Sequence, residues 1–79
     1  MIYMKTLADI VLDYLAKQEG FVVDASVRNP IERVSRDISR GDITWEEGLK
    51  KIHSQAKLYR LSSEEQRLLR LEIEKNMKG

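Results

Sequence analysis

The sequence predicts an all-α protein, a small bundle of three to four helices joined by short capped turns. Three observations lead there. Apolar residues recur at spacings of three and four along most of the chain. Helix-start phrases, with Ser, Thr or Asn followed three residues later by Glu, stand just ahead of those periodic stretches. Finally, 42% apolar and 34% charged residues in a 79-residue chain is the balance of a folded soluble domain rather than of a disordered or membrane-spanning one.

The first helix is expected over about residues 3–19. Met4, Leu7, Ala8, Val11, Leu12 and Leu15 follow the helical spacing, and Tyr3, Ile10 and Tyr14 widen the stripe on one side. Gly20 is the expected left-handed stop, with Phe21 folding back on the last turn and Val22 and Val23 running extended. Asn29-Pro30-Ile31-Glu32 places an N-cap, a proline at the first helical position and a glutamate at the third, so a second helix is expected over 30–40, burying Ile31, Val34 and Ile38 and ending at Gly41. Asp24 could cap a short turn ahead of that proline. Thr44 and Glu47 form the next capping box and open a third helix, expected over 45–60, with Trp45, Leu49, Ile52, Ala56 and Tyr59 as its seam. The fourth, over 63–77, starts on Ser62-Ser63-Glu64-Glu65. Leu69, Ile73 and Met77 share its tight face, whereas Leu68 and Leu71 fall elsewhere on the wheel. The expected core is Leu7, Val11, Leu15, Val34, Ile38, Leu49, Ile52, Ala56 and Leu69, within a single domain spanning the whole chain.

Composition excludes most chemistry. Without cysteine the chain has no disulfide, no thiol nucleophile and no cysteine-ligated zinc site. His53 is the only histidine, so a two-histidine metal site cannot be built within one chain. Beside Lys50 and Lys57 it reads as a surface imidazole. Glu46-Glu47 and Glu64-Glu65 sit at helix starts, where negative charge complements the helix dipole and caps free amides. The glycines stand apart at 20, 41, 48 and 79, so no phosphate-cradling loop exists. No catalytic residue, metal or cofactor is expected, and enzymatic activity is not. Lys5, Asp9 and Asp13 interrupt any signal-peptide core, and no stretch approaches the roughly 20 apolar residues of a membrane span. The expected location is cytoplasmic, with no membrane partner.

The formal charge of +1 hides a basic middle, in which residues 25–61 carry eight Lys or Arg against five acids. Arg33, Arg36 and Arg40 line the face of the second helix opposite Ile31, Val34 and Ile38. Lys50, His53, Lys57 and Arg60 make a similar line along the third. Glu32 to Arg36, Glu46 to Lys50, Glu47 to Lys51 and Arg33 to Asp37 are spaced to answer much of this charge locally. The plain reading is therefore solvated helix faces. An acidic protein partner comes next, and nucleic acid after it.

Residues 49–70 resemble a helix-turn-helix in outline, with Ala56 in the first helix and Leu61, Ser62 and Ser63 as the turn. Arg60 stands where that turn commonly has glycine, and Glu64 and Glu65 open the second helix, where they would face phosphates. The phrase Gly41-Asp42-Ile43-Thr44-Trp45-Glu46-Glu47 is similar to the turn-and-cap phrase of short helical oligomerisation modules such as the SHOCT domain. Capping physics writes that phrase in unrelated chains as well, so neither resemblance transfers a functional residue.

A chain this short leaves much of its surface uncovered when it folds alone. The leading expectation is a small helical protein-interaction module, a regulator or inhibitor of a larger protein or a homodimer, using Tyr3, Ile10 and Tyr14 of the first helix with Leu68 and Leu71 of the fourth. The competing expectation for the first helix is that Phe21, Val22 and Val23 fold over its open flank. The alternative function is nucleic-acid binding through Arg33, Arg36, Arg40, Lys50, Lys57 and Arg60. A near-neutral total charge speaks against it.

The seam assignment has a direct check. Ile52→Ala is expected to cost about 2 to 5 kcal/mol in chemical denaturation, the range for truncating a buried aliphatic, and a loss below about 0.5 kcal/mol would mean that the residue is exposed.

Overall fold

A computed structural model describes residues 5–77. Four α-helices follow one another, α1 Leu7–Ala16, α2 Ala25–Ser39, α3 Trp45–Gln55 and α4 Ser63–Met77, with a 3-10 turn at Leu58–Arg60 ahead of the last. Among the described residues there is no strand. The fold is all-α.

α1 starts at Leu7, later than its apolar spacing suggests, because Thr6 is extended and makes a capping box. Its Oγ1 accepts from the Asp9 amide at 3.2 Å, and the Asp9 carboxylate accepts from the Thr6 amide at 3.1 Å. The expected start at residue 3, with Tyr3 and Met4, lies outside the described residues. The helix also ends earlier than expected, at Ala16. Leu15 is its last buried side chain, and beyond it Lys17 to Glu19 offer no apolar anchor. Gly20 is left-handed, φ 79°, but as the third residue of a turn closed by the Phe21 amide on the Gln18 carbonyl. That turn brings Phe21 and Val23 back against the core and leaves Val22 outside.

α2 departs most from the sequence reading. It begins at Ala25, five residues before Pro30, with Asp24 as N-cap and Asn29 inside the helix. The Asp24 carboxylate accepts from the amides of Ser26 at 3.0 Å and Val27 at 3.3 Å. Pro30 cannot donate to the Ser26 carbonyl, and a proline inside a helix costs about 3 kcal/mol or more. Against this stand a cap worth about 0.5 to 2 kcal/mol and burial of Val27, only 2% exposed, worth about 1.5 to 3 kcal/mol. The longer helix is the outcome, and the Ser26 carbonyl lies on an exposed residue where water can reach it.

α3 begins as its capping box predicts, with Thr44 Oγ1 accepting from the Glu47 amide and the Glu47 carboxylate accepting from the Thr44 amide, both at 3.2 Å. It stops at Gln55 instead of running to residue 60. Lys57 follows in the left-handed conformation, φ 61°. The reason is the placement of two leucines. At about 100° per residue, a continuous helix would carry Leu58 and Leu61 far from the side that holds Ile52 and Ala56. Reversing the chain at Lys57 buries both, Leu58 to 2% and Leu61 to 5% exposure. A left-handed non-glycine residue costs about 1 to 2 kcal/mol, and two buried leucines contribute about 1.5 to 3 kcal/mol each, so the break wins. Tyr59 is thereby released from the expected seam and stands exposed.

In space the helices run α4, α1, α2, α3, each packing chiefly on its neighbour in that order. α1 is thus covered on two sides. Val34 and Ile38 of α2 meet α3 where Gly48 has no side chain, and a Cβ there would lie 2.7 Å from Val34 Cγ1 and 2.6 Å from Ile38 Cδ1. The buried Ser35 ties α2 to α1, its Oγ accepting from the Ala8 amide at 3.1 Å. Seven of the nine expected core residues are buried, whereas Ile38 and Leu49 are only partly so. Ile10, Val27, Ile31, Leu58, Leu61 and Ile73 complete the core.

Lys57 supplies the test of this account. Lys57→Gly removes the steric cost of a left-handed side chain while raising the entropy of the unfolded chain, for a net gain of about 0.5 to 1 kcal/mol in denaturation. A loss of stability would show that the turn is not left-handed.

Candidate interaction surfaces

The face expected on α1 is occupied from within. Ile10 is 4% exposed, a core residue of the chain itself rather than a residue waiting for a partner. Tyr14 is half-buried, and its hydroxyl donates to the Glu65 carbonyl at 2.9 Å, joining α1 to the first turn of α4. Burial, with a smaller contribution from the Glu65 and Glu64 carboxylates, pushes the Tyr14 pKa up. The wide stripe read on α1 therefore reports two neighbours inside the chain, α2 and α4. Tyr3 lies outside the described residues.

The α4 half of the same expectation stands differently. Leu68 and Leu71 are 43% and 49% exposed, three positions apart on the side turned away from Leu69 and Ile73. Ser62 caps the helix, its Oγ accepting from the Glu65 amide at 3.1 Å while the Glu65 carboxylate accepts from the Ser62 amide at 2.7 Å. Glu64 does not cap. It pairs with Arg67, whose hydrogen bond and charge hold the Glu64 carboxyl below its ordinary pKa.

Arg33, Arg36 and Arg40 all stand exposed on the outer face of α2, as their spacing implies. The local pairs that would neutralise them, Glu32 to Arg36 and Arg33 to Asp37, do not close within 4 Å. On α3, Glu47 is turned to Thr44 instead of Lys51, and these bonds lower its pKa. Asp24 is likewise held low, first by the Ser26 hydroxyl. The second basic line does not survive folding, because the break after Ala56 takes Lys57 and Arg60 off the helix that carries Lys50 and His53.

His53 faces α4. Its Nε2 lies 3.2 Å from Gln66 Oε1, while the Gln66 amide nitrogen donates to the Leu61 carbonyl at 2.9 Å. That bond leaves Oε1 facing the imidazole. At the other end of α3, Arg70 places its guanidinium 5.4 Å from the centre of the Trp45 ring. These two links span an open cleft of about 520 Å3 between α3 and α4, with Leu49, Leu58 and Leu69 in its lining. Sequence reasoning missed the cleft because it kept residues 45–60 in one helix. The available signal was the angular mismatch of Leu58 and Leu61 with Ile52 and Ala56.

Among the described residues no three His, Asp or Glu side chains converge to hold a metal ion, and no helix is long and apolar enough to cross a membrane.

Tyr14→Phe is expected to cost about 0.5 to 1.5 kcal/mol by removing the bond to Glu65. Because the folded-state pKa is raised, protonated Tyr14 stabilises the fold fully below the ordinary tyrosine pKa of about 10 and less as pH rises past it. The gap between wild type and variant in denaturation midpoint should therefore narrow in strong alkali, and a gap independent of pH would refute the assignment. No family model matches this chain, and no curated protein or solved structure is found to be similar to it, so its own surfaces are the guide to what it does.

Proposed function

We propose that this chain is a small helical protein-interaction module, a regulator or inhibitor of a larger protein, that acts in the cytoplasm by docking rather than by catalysis. The single observation that supports the reading is α4. Its inner face is covered by the rest of the chain, while its outer face presents Leu68 and Leu71 to solvent. Leucine is under no local requirement at either position, since Glu, Lys or Gln would serve an exposed helix equally well. Exposed apolar pairs on so small a surface are where a partner is expected. α1, whose stripe suggested a two-helix interface, contributes less than its sequence implies because Ile10 and Tyr14 are engaged internally.

Anion binding is the second reading, favoured by Arg33, Arg36 and Arg40. Three outward guanidinium groups within two helical turns, without a carboxylate in ion-pair reach, suit phosphates or an acidic protein surface.

The leading reading is tested with a photo-crosslinking amino acid at position 68 or 71 of the chain expressed in its native host, compared with the same label at Lys51. A discrete crosslinked species, either two copies of this chain or one copy with another protein, is expected at 68 and 71 and absent at 51. Leu68→Lys/Leu71→Lys should keep its helicity and change stability by no more than about 0.5 kcal/mol. Equal crosslinking at all positions, or a double variant that unfolds, would show that the leucines serve the fold and not a partner.

A further inference from the structure

The cleft between α3 and α4 is a second surface, one that Leu68 and Leu71 do not line. Its origin is the packing order: α3 leans on α2 and α4 on α1, so the two outer helices splay apart. Leu49, Leu58 and Leu69 line it, and the charged residues around it are Lys50, Arg67 and Arg70 against Glu46. Arg67 is already paired with Glu64, so the unanswered charges are Lys50 and Arg70 against Glu46, in a chain whose total is +1. Lys50 has no carboxylate within ion-pair distance. Arg70 has its guanidinium carbon 5.4 Å from the centre of the Trp45 ring and pairs with no carboxylate there. The aliphatic stems of these side chains extend the apolar lining toward solvent.

We propose that this cleft receives an acidic amphipathic helix of a partner protein, its apolar face laid against the half-buried Leu49 and the aliphatic stems of Lys50, Arg67 and Arg70, over a floor closed by the buried Leu58 and Leu69, with flanking carboxylates on Lys50 and Arg70. Two features select this occupant. Small-molecule sites enclose most of their ligand, whereas this cleft is open and held between two helices, the geometry in which a third helix lays its apolar face. The surplus of positive charge at its edge then chooses the sign of the partner, since like charges there would repel a basic helix. The proposal rests on the chain being an interaction module but places the contact on a different face from Leu68 and Leu71.

The experiment is a selection from a displayed library of helical peptides, with leucine fixed at i, i+3, i+4 and i+7 and all other positions randomised, on the folded full-length chain. Enrichment of Asp and Glu beside the anchors is expected. The selected peptide, measured by fluorescence anisotropy, should bind Lys50→Glu/Arg70→Glu at least tenfold more weakly and bind Leu68→Lys/Leu71→Lys as it binds the wild type. A charge-reversed peptide, with Lys at the selected acidic positions, should instead prefer the Lys50→Glu/Arg70→Glu chain. If Arg70→Glu disturbs Trp45 and unfolds the chain, Lys50→Glu alone carries the test, because Lys50 is exposed and outside the core. Peptides without acidic bias, binding indifferent to Lys50, or no enriched peptide would each overturn the cleft proposal. Binding lost only with Leu68 and Leu71 would overturn it while supporting the α4 face.

Discussion

The two-sided burial of α1 is the constraint on which the rest of the molecule depends. Leu7, Val11 and Leu15 are almost wholly inaccessible and Ile10 nearly so, which requires cover from both α2 and α4 at once. Once α1 is central, α3 packs chiefly on α2 and on the Leu58–Arg60 turn, and α4 chiefly on α1. Gly48 and Tyr14 are the residues that let this happen. The first lets α3 approach Val34 and Ile38 with no side chain between them, and the second links α1 to the start of α4 through one hydroxyl. The cleft between the outer helices is a by-product of that order. Its walls belong to elements that are each anchored elsewhere.

Helix number and class were legible because they rest on local chemistry. Thr44 with Glu47 and Ser62 with Glu65 cap the helices that follow them, and the apolar spacing of α3 and α4 identified Ile52, Ala56, Leu69 and Ile73 as inward-facing. The failures share a cause. Asn29-Pro30 is a strong local start signal, yet Asp24 and Val27 together extend α2 ahead of it, and the gain in burying Val27 is invisible until α1 is in place. Lys57 carries no compositional mark of a left-handed residue, and the need for one arises from where Leu58 and Leu61 must go.

The candidate surfaces show the same division. Exposure of Arg33, Arg36, Arg40, Leu68 and Leu71 followed from position on a helical wheel. The wheel could not show that Ile10 has a neighbour on its far side, nor that Lys57 and Arg60 leave the helix that carries Lys50. A wide apolar stripe says that two surfaces cover a helix, and only the tertiary arrangement says whether both belong to the same chain.

The bond from the Ala8 amide to Ser35 places one end of α1 in the keeping of a residue 27 positions away. α1 has ten residues, fewer than the roughly 12 to 15 that an isolated helix needs to persist in water. It therefore has little existence outside the assembled bundle. α2 and α4, of 15 residues each, hold α1 between them, so whatever loosens either flank also withdraws the support that keeps α1 helical.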